Sequence, residues 1–353
     1  MDFTKTLTLL AGIEQMPPLT TFLKDRYFPT NPATDIFNTD EVIVEYRSGN
    51  KKLAPFVSPR KNGVTVLREG YEIESYSPAN IAPKRPIYID DLTKKGFGEA
   101  LFSNLTPEQR EAALILKDTS DLTKMIKRRE EAMAAETMLT NGCVMKHYAD
   151  KEDKYEEKHI RFYEGENNPA TYTPPKDWDD PTADIPEDLY QIVLMLIRKG
   201  NAATEIILGS GAANAFLNND KIYKMLENRR FEIGTIAPME LPTGAARLAR
   251  INVKGHALDI LTYDQTYEEN GKDIPFIPAN EIVMSAPNAG RTAYGAVTQI
   301  EQSDRMRHTY KGMLVPKYVA DATNNTREIT LTSRPLLMPN NKNPWISAKV
   351  LED

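Results

Sequence analysis

The first 86 residues contain nine prolines and four glycines, and their apolar residues are too scattered to form a core of their own. Short segments in this region are rich in the β-branched and aromatic residues that strands favour: Val42–Tyr46, Val64–Leu67 and Tyr71–Ser75. We expect residues 64–67 and 72–76 to form the arms of a hairpin around Arg68-Glu69-Gly70, within a polar excursion from Pro55 to Pro86. Arms of about 12 to 15 residues, at about 3.3 Å per residue, would reach roughly 40 to 50 Å. Because isolated two-stranded ribbons are marginally stable in water, we expect this ribbon to rest on its own chain or on a neighbour.

A capping box, Thr106-Pro107-Glu108-Gln109, predicts the start of a helix, because the threonine hydroxyl accepts from the Gln109 amide and the proline has no N–H to satisfy. We expect a short helix to about Lys117 and an interruption at residues 118–121, whose Asp, Thr and Ser side chains compete for backbone donors. A second helix, from Leu122 to Leu139, is expected to stop at Asn141-Gly142. Its narrow apolar stripe and otherwise charged surface indicate a helix of roughly 27 Å or more that lies across a sheet with one side buried.

The rest of the chain alternates strands and helices. Residues 143–163 predict a strand, a charged turn and a second strand, and residues 164–186 predict a Pro- and Asp-rich linker without an element of its own. Beyond the linker we expect helices at 186–199 and 212–229, strands at 205–208, 250–253, 258–263, 266–269, 274–277 and 281–285, and two tail strands at 327–332 and 345–351. Asn270-Gly271 is the strongest short hairpin signal. Together these elements predict an α+β protein.

Length and composition exclude several classes of protein. A chain of 353 residues is too long for one simple core and indicates about two domains. Its single cysteine excludes a disulfide scaffold and a cysteine-based zinc site, and fits a reducing compartment. No run of 18 or more apolar residues predicts a membrane span, and the N-terminus lacks the basic front and cleavage site of a secretory signal. The net charge of -6 gives no global attraction to nucleic acid.

Candidate chemical sites are few, and each has a simpler structural explanation. Gly209-Ser210-Gly211 follows a strand and opens a helix, as a dinucleotide-binding loop does, but the third glycine position holds Asn214, so we interpret it as an ordinary turn. The four histidines lack the spacing of metal ligands on a helix face, although His147 and His159 could approach each other across their hairpin. Cys143 has neither a glycine elbow nor an adjacent histidine, which indicates a packed thiol.

Two groups of charged residues also have a simpler structural explanation. Four carboxylates in the linker are interpreted as solubilising charges, because no apolar pocket surrounds them to raise a pKa: Asp177, Asp179, Asp180 and Asp184. The basic run Lys124 to Arg129 is balanced by Glu130, Glu131 and Glu136, so we interpret it as a solvated or ion-paired helix face before a polyanion contact. No cofactor, metal or catalytic residue is predicted.

Several strings occur in the order found in one known family. They are Phe56-Val57-Ser58-Pro59 before the 64–67 strand, Tyr76-Ser77-Pro78, Ile81-Ala82-Pro83-Lys84, Met138-Leu139-Thr140-Asn141-Gly142, Glu269-Asn270-Gly271-Lys272 leading through Phe276-Ile277-Pro278 to residues 280–285, and Gly290-Arg291-Thr292-Ala293-Tyr294-Gly295. In this colinear order, over nearly the whole chain, the sequence resembles the lambda-type major capsid protein family, whose members have the Hong Kong 97-type capsid fold. The resemblance implies a structural head protein of a tailed phage or prophage that assembles into an icosahedral shell around double-stranded DNA.

The resemblance also implies a division of the chain. Residues 1–48 would be an N-terminal arm, 49–105 an extended loop region that overlaps an adjacent subunit, 106–185 with 311–353 a peripheral domain, and 186–310 an α/β axial domain. Loop residues expected at subunit contacts are Pro55, Phe56, Val57, Arg60, Lys61, Val64, Val66, Arg68, Tyr71, Ile73, Tyr76 and Lys84. Spine-helix residues are Leu122, Met125, Ile126, Arg129, Met133 and Leu139, and the axial-domain hairpin set is Asn270, Gly271, Arg291 and Tyr294.

The implied partners follow from the same family. Copies of the chain would form pentamers and hexamers in the shell, with a separate scaffolding protein, a portal and, in some relatives, a decoration protein, and with nonspecific proximity to packaged DNA. Assembly is expected in the host cytoplasm, the mature protein in the virion capsid, without a membrane partner. No lysine–asparagine crosslink is predicted. Two alternatives remain open at this point: a nanocompartment shell that encloses a cargo enzyme, and an enzyme that uses the Gly209 turn.

Overall fold

A computed structural model describes residues 21–47, 71–88, 92, 106–148, 155–163, 170–227, 234–241 and 243–352. The helices are α1 (Leu23–Tyr27), α2 (Pro107–Thr140), α3 (Ile185–Arg198), α4 (Ser210–Asn218) and α5 (Asp220–Glu227). The strands are β1 (Val42–Arg47), β2 (Tyr71–Tyr76), β3 (Lys84–Tyr88), β4 (Gly142–Tyr148), β5 (Tyr155–Arg161), β6 (Thr171–Tyr172), β7 (Glu205–Leu208), β8 (Gly234–Glu240), β9 (Ala246–Val253), β10 (His256–Thr262), β11 (Thr266–Glu269), β12 (Lys272–Pro275), β13 (Glu281–Ser285), β14 (Gly290–Tyr294), β15 (Val297–Ile300), β16 (Arg307–Tyr310), β17 (Val315–Asp321), β18 (Thr326–Thr332), β19 (Pro335–Pro339) and β20 (Ile346–Lys349). None of the helices in these ranges is long and apolar enough to cross a membrane.

A seven-stranded mixed sheet forms the centre of the molecule, in the order β6-β20-β13-β7-β10-β9-β8. Strand β7 is apolar along its length after Glu205 and is buried on both faces, as an unbroken apolar strand requires. Successive side chains point to opposite faces, so Ile206 and Leu208 pack with helices α3 and α4, whereas Ile207 packs with the C-terminal half of α2 and with α1. The sheet is therefore covered by a helical layer on each side.

Helix α2 is continuous over 34 residues, about 51 Å at 1.5 Å per residue. The expected capping box is present at its start, but the expected interruption at residues 118–121 is wrong. The Thr119 hydroxyl donates to the carbonyl of Ile115 at 2.7 Å, and Asp118 and Asp121 bind the guanidinium of Arg85 at 2.8 and 3.1 Å. The Thr119 hydroxyl acts as a donor and the two aspartates bind Arg85, so none of the three side chains takes a backbone N–H from the helix.

The two halves of α2 pack on different sheets. Its N-terminal half covers the three-stranded sheet β17-β18-β3, where Ile115 and Leu122 meet Ile329 and Leu331. Its C-terminal half, including Met138, packs in the central core. The helix therefore lies across two separate apolar clusters, as its length allows.

Two further expectations are corrected. Residues 212–229 were expected to form one helix, but Asn219 separates α4 from α5 and accepts from the amides of Lys221 and Ile222 at 3.0 and 3.3 Å, which starts a new helix. The linker 164–186 contains the short strand β6 and a buried indole, Trp178, whose Nε1–H donates to Asp188 at 3.1 Å. Local composition did not reveal either feature.

Strand β20 departs from the expected domain boundary. It lies between β13 and β6 in the central sheet, whereas residues 311–353 were assigned together to the peripheral domain. The side chains of Ile346 and Ala348 fill the core under α3 rather than the smaller sheet under α2, and the buried Ser347 between them donates to the carbonyl of Leu139 on α2 at 3.2 Å. Strands β14 to β17 and β19, none of them expected, fill the intervals between the predicted elements.

Candidate assembly interface

Strands β1 and β2 form an antiparallel two-stranded ribbon whose register runs from Val42↔Tyr76 to Arg47↔Tyr71. The expected partner of the second arm, residues 64–67, lies outside the described residues. The structure pairs this arm with residues 42–47, which we had assigned to the N-terminal arm. The ribbon therefore starts at Val42, and residues 48–70 connect its two strands.

Alternation along β1 gives the ribbon one packed face and one open face at its base. Val42 and Val44 are buried in the central core, whereas the intervening Ile43 is 51% exposed. Tyr76 packs its ring edge-on against Phe162 with centroids 5.3 Å apart. One face of the ribbon thus belongs to the subunit core, and the other is left for solvent or a partner.

Charged side chains fix the segment that follows the ribbon. The guanidinium of Arg334 donates to the carbonyl of Pro78 at 3.1 and 3.3 Å and to that of Ala296 at 3.2 Å, and it pairs with Asp40 at 3.0 Å. The Lys158 ammonium donates to the carbonyl of Ser77 at 2.6 Å. Asp40 precedes β1 and Pro78 follows β2, so Arg334 holds together the two segments at the base of the ribbon. This contact fixes the direction of the ribbon relative to the rest of the subunit.

The expected loop contacts fall into three groups. Eight lie outside the described residues: Pro55, Phe56, Val57, Arg60, Lys61, Val64, Val66 and Arg68. Tyr71, Ile73 and Tyr76 lie on β2, where they pair with Arg47, Glu45 and Val42. Lys84 lies on β3, outside the ribbon, and pairs with Glu328 of its own chain at 3.2 Å. Subunit contacts through these residues remain a prediction.

The predicted apolar stripe of the long helix is only partly correct. Leu122, Ile126 and Met133 are buried, and Leu139 is half-buried against the core. Met125, expected in the stripe, is 49% exposed, and Arg129 is exposed. Met125 lies beyond the edge of the surface that the helix presents to the two sheets.

Glu131 is the strongest departure from the sequence prediction, which placed it on a solvated or ion-paired helix face. Its side chain is buried, and its carboxylate accepts three successive backbone N–H groups at the start of α1, from Phe22 at 3.0 Å, Leu23 at 2.7 Å and Lys24 at 2.9 Å. Burial raises the pKa of this carboxyl, and the three N–H bonds together with a hydrogen bond from the Tyr263 hydroxyl oppose the rise. The carboxylate takes the place of an N-cap side chain that α1 itself does not provide.

Glu130 is buried as well and joins three elements. It accepts from the Tyr294 hydroxyl at 2.9 Å and from the Lys127 ammonium at 3.0 Å, and the Lys24 ammonium lies 3.8 Å away. Burial lowers the pKa of Lys24 and raises the pKa of Tyr294 well above its usual value. Helices α1 and α2 and strand β14 therefore meet at one buried carboxylate.

A third buried carboxylate, Glu205 on β7, completes the attachment of α1. The Tyr27 hydroxyl donates to it at 2.8 Å, and the Arg26 guanidinium binds both of its oxygens. The short helix α1 thus connects the long helix α2 to the central sheet. We refer to Glu130, Glu131 and Glu205 as the carboxylate clamp.

The expected axial-domain set divides between two places. Asn270 and Gly271 form the predicted two-residue turn between β11 and β12, with φ of 53° and 73°, as a primed hairpin turn requires. Arg291 and Tyr294 do not lie on this hairpin. They lie on β14, which pairs with β19, and Arg291 approaches Asp35 at 3.9 Å.

The Gly209 turn packs closely against the segment that precedes β13. The Gly209 amide donates to Glu281 at 3.0 Å, the Ala212 amide donates to Ala279 at 2.8 Å, and a Cβ on Gly209 would lie 2.0 Å from the carbonyl oxygen of Pro278. Two N–H groups of this turn are therefore used within the fold, and backbone atoms fill the space beside Gly209.

The other candidate sites have structural partners. His147 pairs with Glu156 and His159 with Val144, so the two histidines are not opposite each other. Burial raises the pKa of the Cys143 thiol to about 12. Asp184 caps α3 and pairs with Lys221 at 2.6 Å, which lowers the pKa of its carboxyl. Among the described residues no group of three His, Cys, Asp or Glu side chains could hold a metal ion.

Residues 5–350 match the family model described as phage major capsid protein E. The chain belongs to this family. It is 24% identical to the major capsid protein of Enterobacteria phage P21 and to a P21 prophage-derived major head protein of Escherichia coli O6:H1 strain CFT073, over 96% of each chain. The expected family is therefore confirmed.

Solved structures agree on the fold. The crystal structure of a proposed prophage capsid protein from E. coli CFT073 superposes with a TM-score of 0.64 and 16% identity, over 98% of both chains. A phage-related protein from Bordetella bronchiseptica RB50 superposes with a TM-score of 0.50 and 11% identity, over 97% of this chain and 96% of that one. The expected α+β Hong Kong 97-type capsid fold is confirmed.

Proposed function

We propose that this chain is the major structural subunit of a phage or prophage head, and that its copies assemble into a closed icosahedral shell around double-stranded DNA. The observation that carries this function is the match of residues 5–350 to the phage capsid family. The family is one of structural proteins, and we propose no catalytic activity and no cofactor for this chain. The mature protein belongs to the virion capsid.

Electron microscopy of the purified full-length chain tests this function, with closed and regular shells as the expected result. Particles recovered from cells that carry the gene in its own genome separate the two kinds of shell. Nuclease-resistant double-stranded DNA inside them supports a phage head, whereas a co-purifying enzyme without DNA supports the nanocompartment alternative. A chain that stays monomeric at all concentrations would contradict both.

We also propose which role each part of the subunit has in the shell. We assign the ribbon β1–β2 and its connection 48–70 to overlap with an adjacent subunit, α2 with the small sheet β17-β18-β3 to the peripheral domain, and residues 186–310 with β20 to the axial domain. Scaffolding, portal and decoration proteins are proposed partners from the family resemblance, as is assembly in the host cytoplasm. The half-open ribbon base supports the overlap, since Ile43 on one of its faces is 51% exposed in the part of the subunit that the structure describes.

The register of the ribbon allows a direct test of this overlap. Because Arg47 lies opposite Tyr71, replacing residues 48–70 with Asn-Gly closes β1 and β2 into a tight hairpin without changing the pairs that already exist. We expect this variant to fold and to form no stable shells. A Gly/Ser segment of the same length as 48–70 is the control, because it keeps the length of the connection and removes its side-chain contacts. Normal shells from the Asn-Gly variant would contradict the proposed overlap.

A further inference from the structure

The turn between β11 and β12 contains one of the three Asn-Gly pairs in the sequence, which are residues 62–63, 141–142 and 270–271. The first pair lies outside the described residues, and the structure describes the other two. Asparagine is a thermolabile residue. A following glycine favours attack of the next backbone nitrogen on the side-chain amide, because glycine has no Cβ to obstruct the approach.

The pair Asn270-Gly271 is exposed and unconstrained by neighbouring groups. Neither its peptide groups nor the Asn270 side chain forms a hydrogen bond within the part of the chain that the structure describes. A Cβ built on Gly271 would meet no atom within 4 Å, so the space beside the turn is open. The peptide between the two residues can therefore rotate without losing a partner.

One such rotation brings the reacting atoms together. Asn270 has a φ of 53° and Gly271 a φ of 73°, as in a type I′ turn. A type II′ turn keeps the positive φ of its first central residue and sets the ψ of that residue to about −120°. At this ψ the next backbone nitrogen eclipses Cβ, which is the planar arrangement that a five-membered imide ring requires. Because both turns connect hairpin strands, the pairing of β11 with β12 is preserved.

The pair Asn141-Gly142 lacks this freedom. Asn141 is 2% exposed, its Nδ2 donates to the carbonyl of Phe162 at 2.9 Å, and its own carbonyl accepts from the Phe162 N–H at 3.1 Å. Rotation of the Asn141 peptide would break the second of these bonds. A Cβ on Gly142 would lie 2.3 Å from the carbonyl oxygen of Ile160, so the peptide also has no space in which to rotate.

We propose that Asn270 is a site of spontaneous deamidation through a cyclic imide formed with the Gly271 nitrogen. Hydroxide removes the Gly271 amide proton, the nitrogen bonds to Cγ of Asn270, and the Cγ–Nδ2 bond breaks, so that ammonia leaves with a proton from water. A water molecule then opens one C–N bond of the imide ring. Opening at Cγ gives aspartate, and opening at the backbone carbon gives isoaspartate, whose peptide bond runs through Cγ.

Either product adds a negative charge to a hairpin that is already acidic. Its strands carry three carboxylates and one lysine: Glu268, Glu269, Asp273 and Lys272. The consequence for a particle rests on the proposed shell function. Subunits in a closed shell are not replaced, so converted copies accumulate with the age of the particle.

Peptide mapping by mass spectrometry, after incubation of the purified full-length chain at mildly alkaline pH, tests this proposal. We expect Asn270 to convert at least tenfold faster than Asn141 in the folded chain. Fragmentation of the converted peptide should show both aspartate and isoaspartate at position 270, because only the imide leads to isoaspartate. Equal rates at the two asparagines would overturn the proposal, and aspartate as the sole product would overturn the imide route.

Denaturing urea and one variant provide the controls. In urea Asn141 should convert as fast as Asn270, because the fold alone protects it; a slow Asn141 in urea would contradict this reasoning. Asn270→Gly retains a Gly-Gly pair that suits a type I′ turn and should remove the ammonia that this hairpin releases. Unchanged ammonia release would also refute the site. Free subunits suffice for each measurement, so the outcome is independent of whether the chain forms shells.

Discussion

Replacing Glu131 with alanine removes the acceptor of three buried N–H groups and should lower the free energy of unfolding of the subunit by about 3–5 kcal/mol. Each hydrogen bond to a charged group contributes about 1.5–3 kcal/mol. The net loss is smaller than the gross sum of three such bonds, because the variant no longer buries a carboxylate. The raised pKa of Glu131 reflects that burial cost.

Glu131→Gln provides a graded comparison. One carbonyl oxygen can still accept from Phe22 and Leu23, as Oε1 of Glu131 does, but the amide –NH2 would face the N–H of Lys24. We therefore expect an intermediate loss of about 1–3 kcal/mol from one unsatisfied donor. Glu268→Gln, at an exposed position on β11, is the matched control and should change stability by no more than about 0.5 kcal/mol.

Urea denaturation of free subunits, followed by the fluorescence of the buried Trp178 and Trp345, gives these free energies. Hydrogen exchange at the amides of residues 22–24 reports on α1 directly and should accelerate in Glu131→Ala. The reasoning is refuted if Glu131→Ala costs less than about 1 kcal/mol and leaves that exchange unchanged. In that case water would replace the carboxylate as acceptor.

Three further predictions use other buried or paired groups. Tyr294→Phe removes the hydroxyl that donates to Glu130, so the same urea titration should give a loss of about 1.5–3 kcal/mol. The hydrogen bond from Lys221 is the largest cause of the lowered pKa of Asp184. The stabilisation that this pair gives to the folded state is therefore present above the unfolded-state pKa of about 3.9 and is lost as pH falls through the lower folded-state value. The difference in unfolding free energy between wild type and Lys221→Met should shrink from about pH 5 to about pH 3. Cys143 should not react with a disulfide reagent at about pH 8 in the native subunit and should react fully in denaturant, because burial raises its pKa to about 12; reaction of the folded protein would show that the β4 region opens.

Signals confined to a few adjacent residues predicted structure well. The capping box forms as expected, with Thr106 accepting from the Gln109 amide at 3.3 Å and the Gln109 side chain accepting from the Thr106 amide at 3.0 Å. Asn270-Gly271 adopts the positive φ angles of its turn. In both cases the partners lie within three residues, so the chain carries the whole interaction in one short string.

Interactions between distant residues could not be predicted in this way. The expected helix break failed because Arg85 lies 33 and 36 residues from the aspartates that it binds. The burial of Glu131 depends on N–H groups 107 to 109 residues away. Strand-favouring segments predicted an extended ribbon, but the strand that pairs with residues 71–76 became visible only in the fold. Strands β15 and β16 had no local signal either, since neither of them was expected.

The carboxylate clamp also sets an order of events in folding. Arg26 and Glu205 are 179 residues apart, and Tyr294 is 164 residues from Glu130. At a synthesis rate of about 5–20 residues per second, Arg26 leaves the ribosome roughly 9 to 36 seconds before its partner exists. Helix α1 has only five residues and cannot persist alone during that interval. The earliest-made described segment is therefore among the last to reach its native place, and a nascent subunit cannot join its long helix to its central sheet through the clamp before most of the chain has been synthesised.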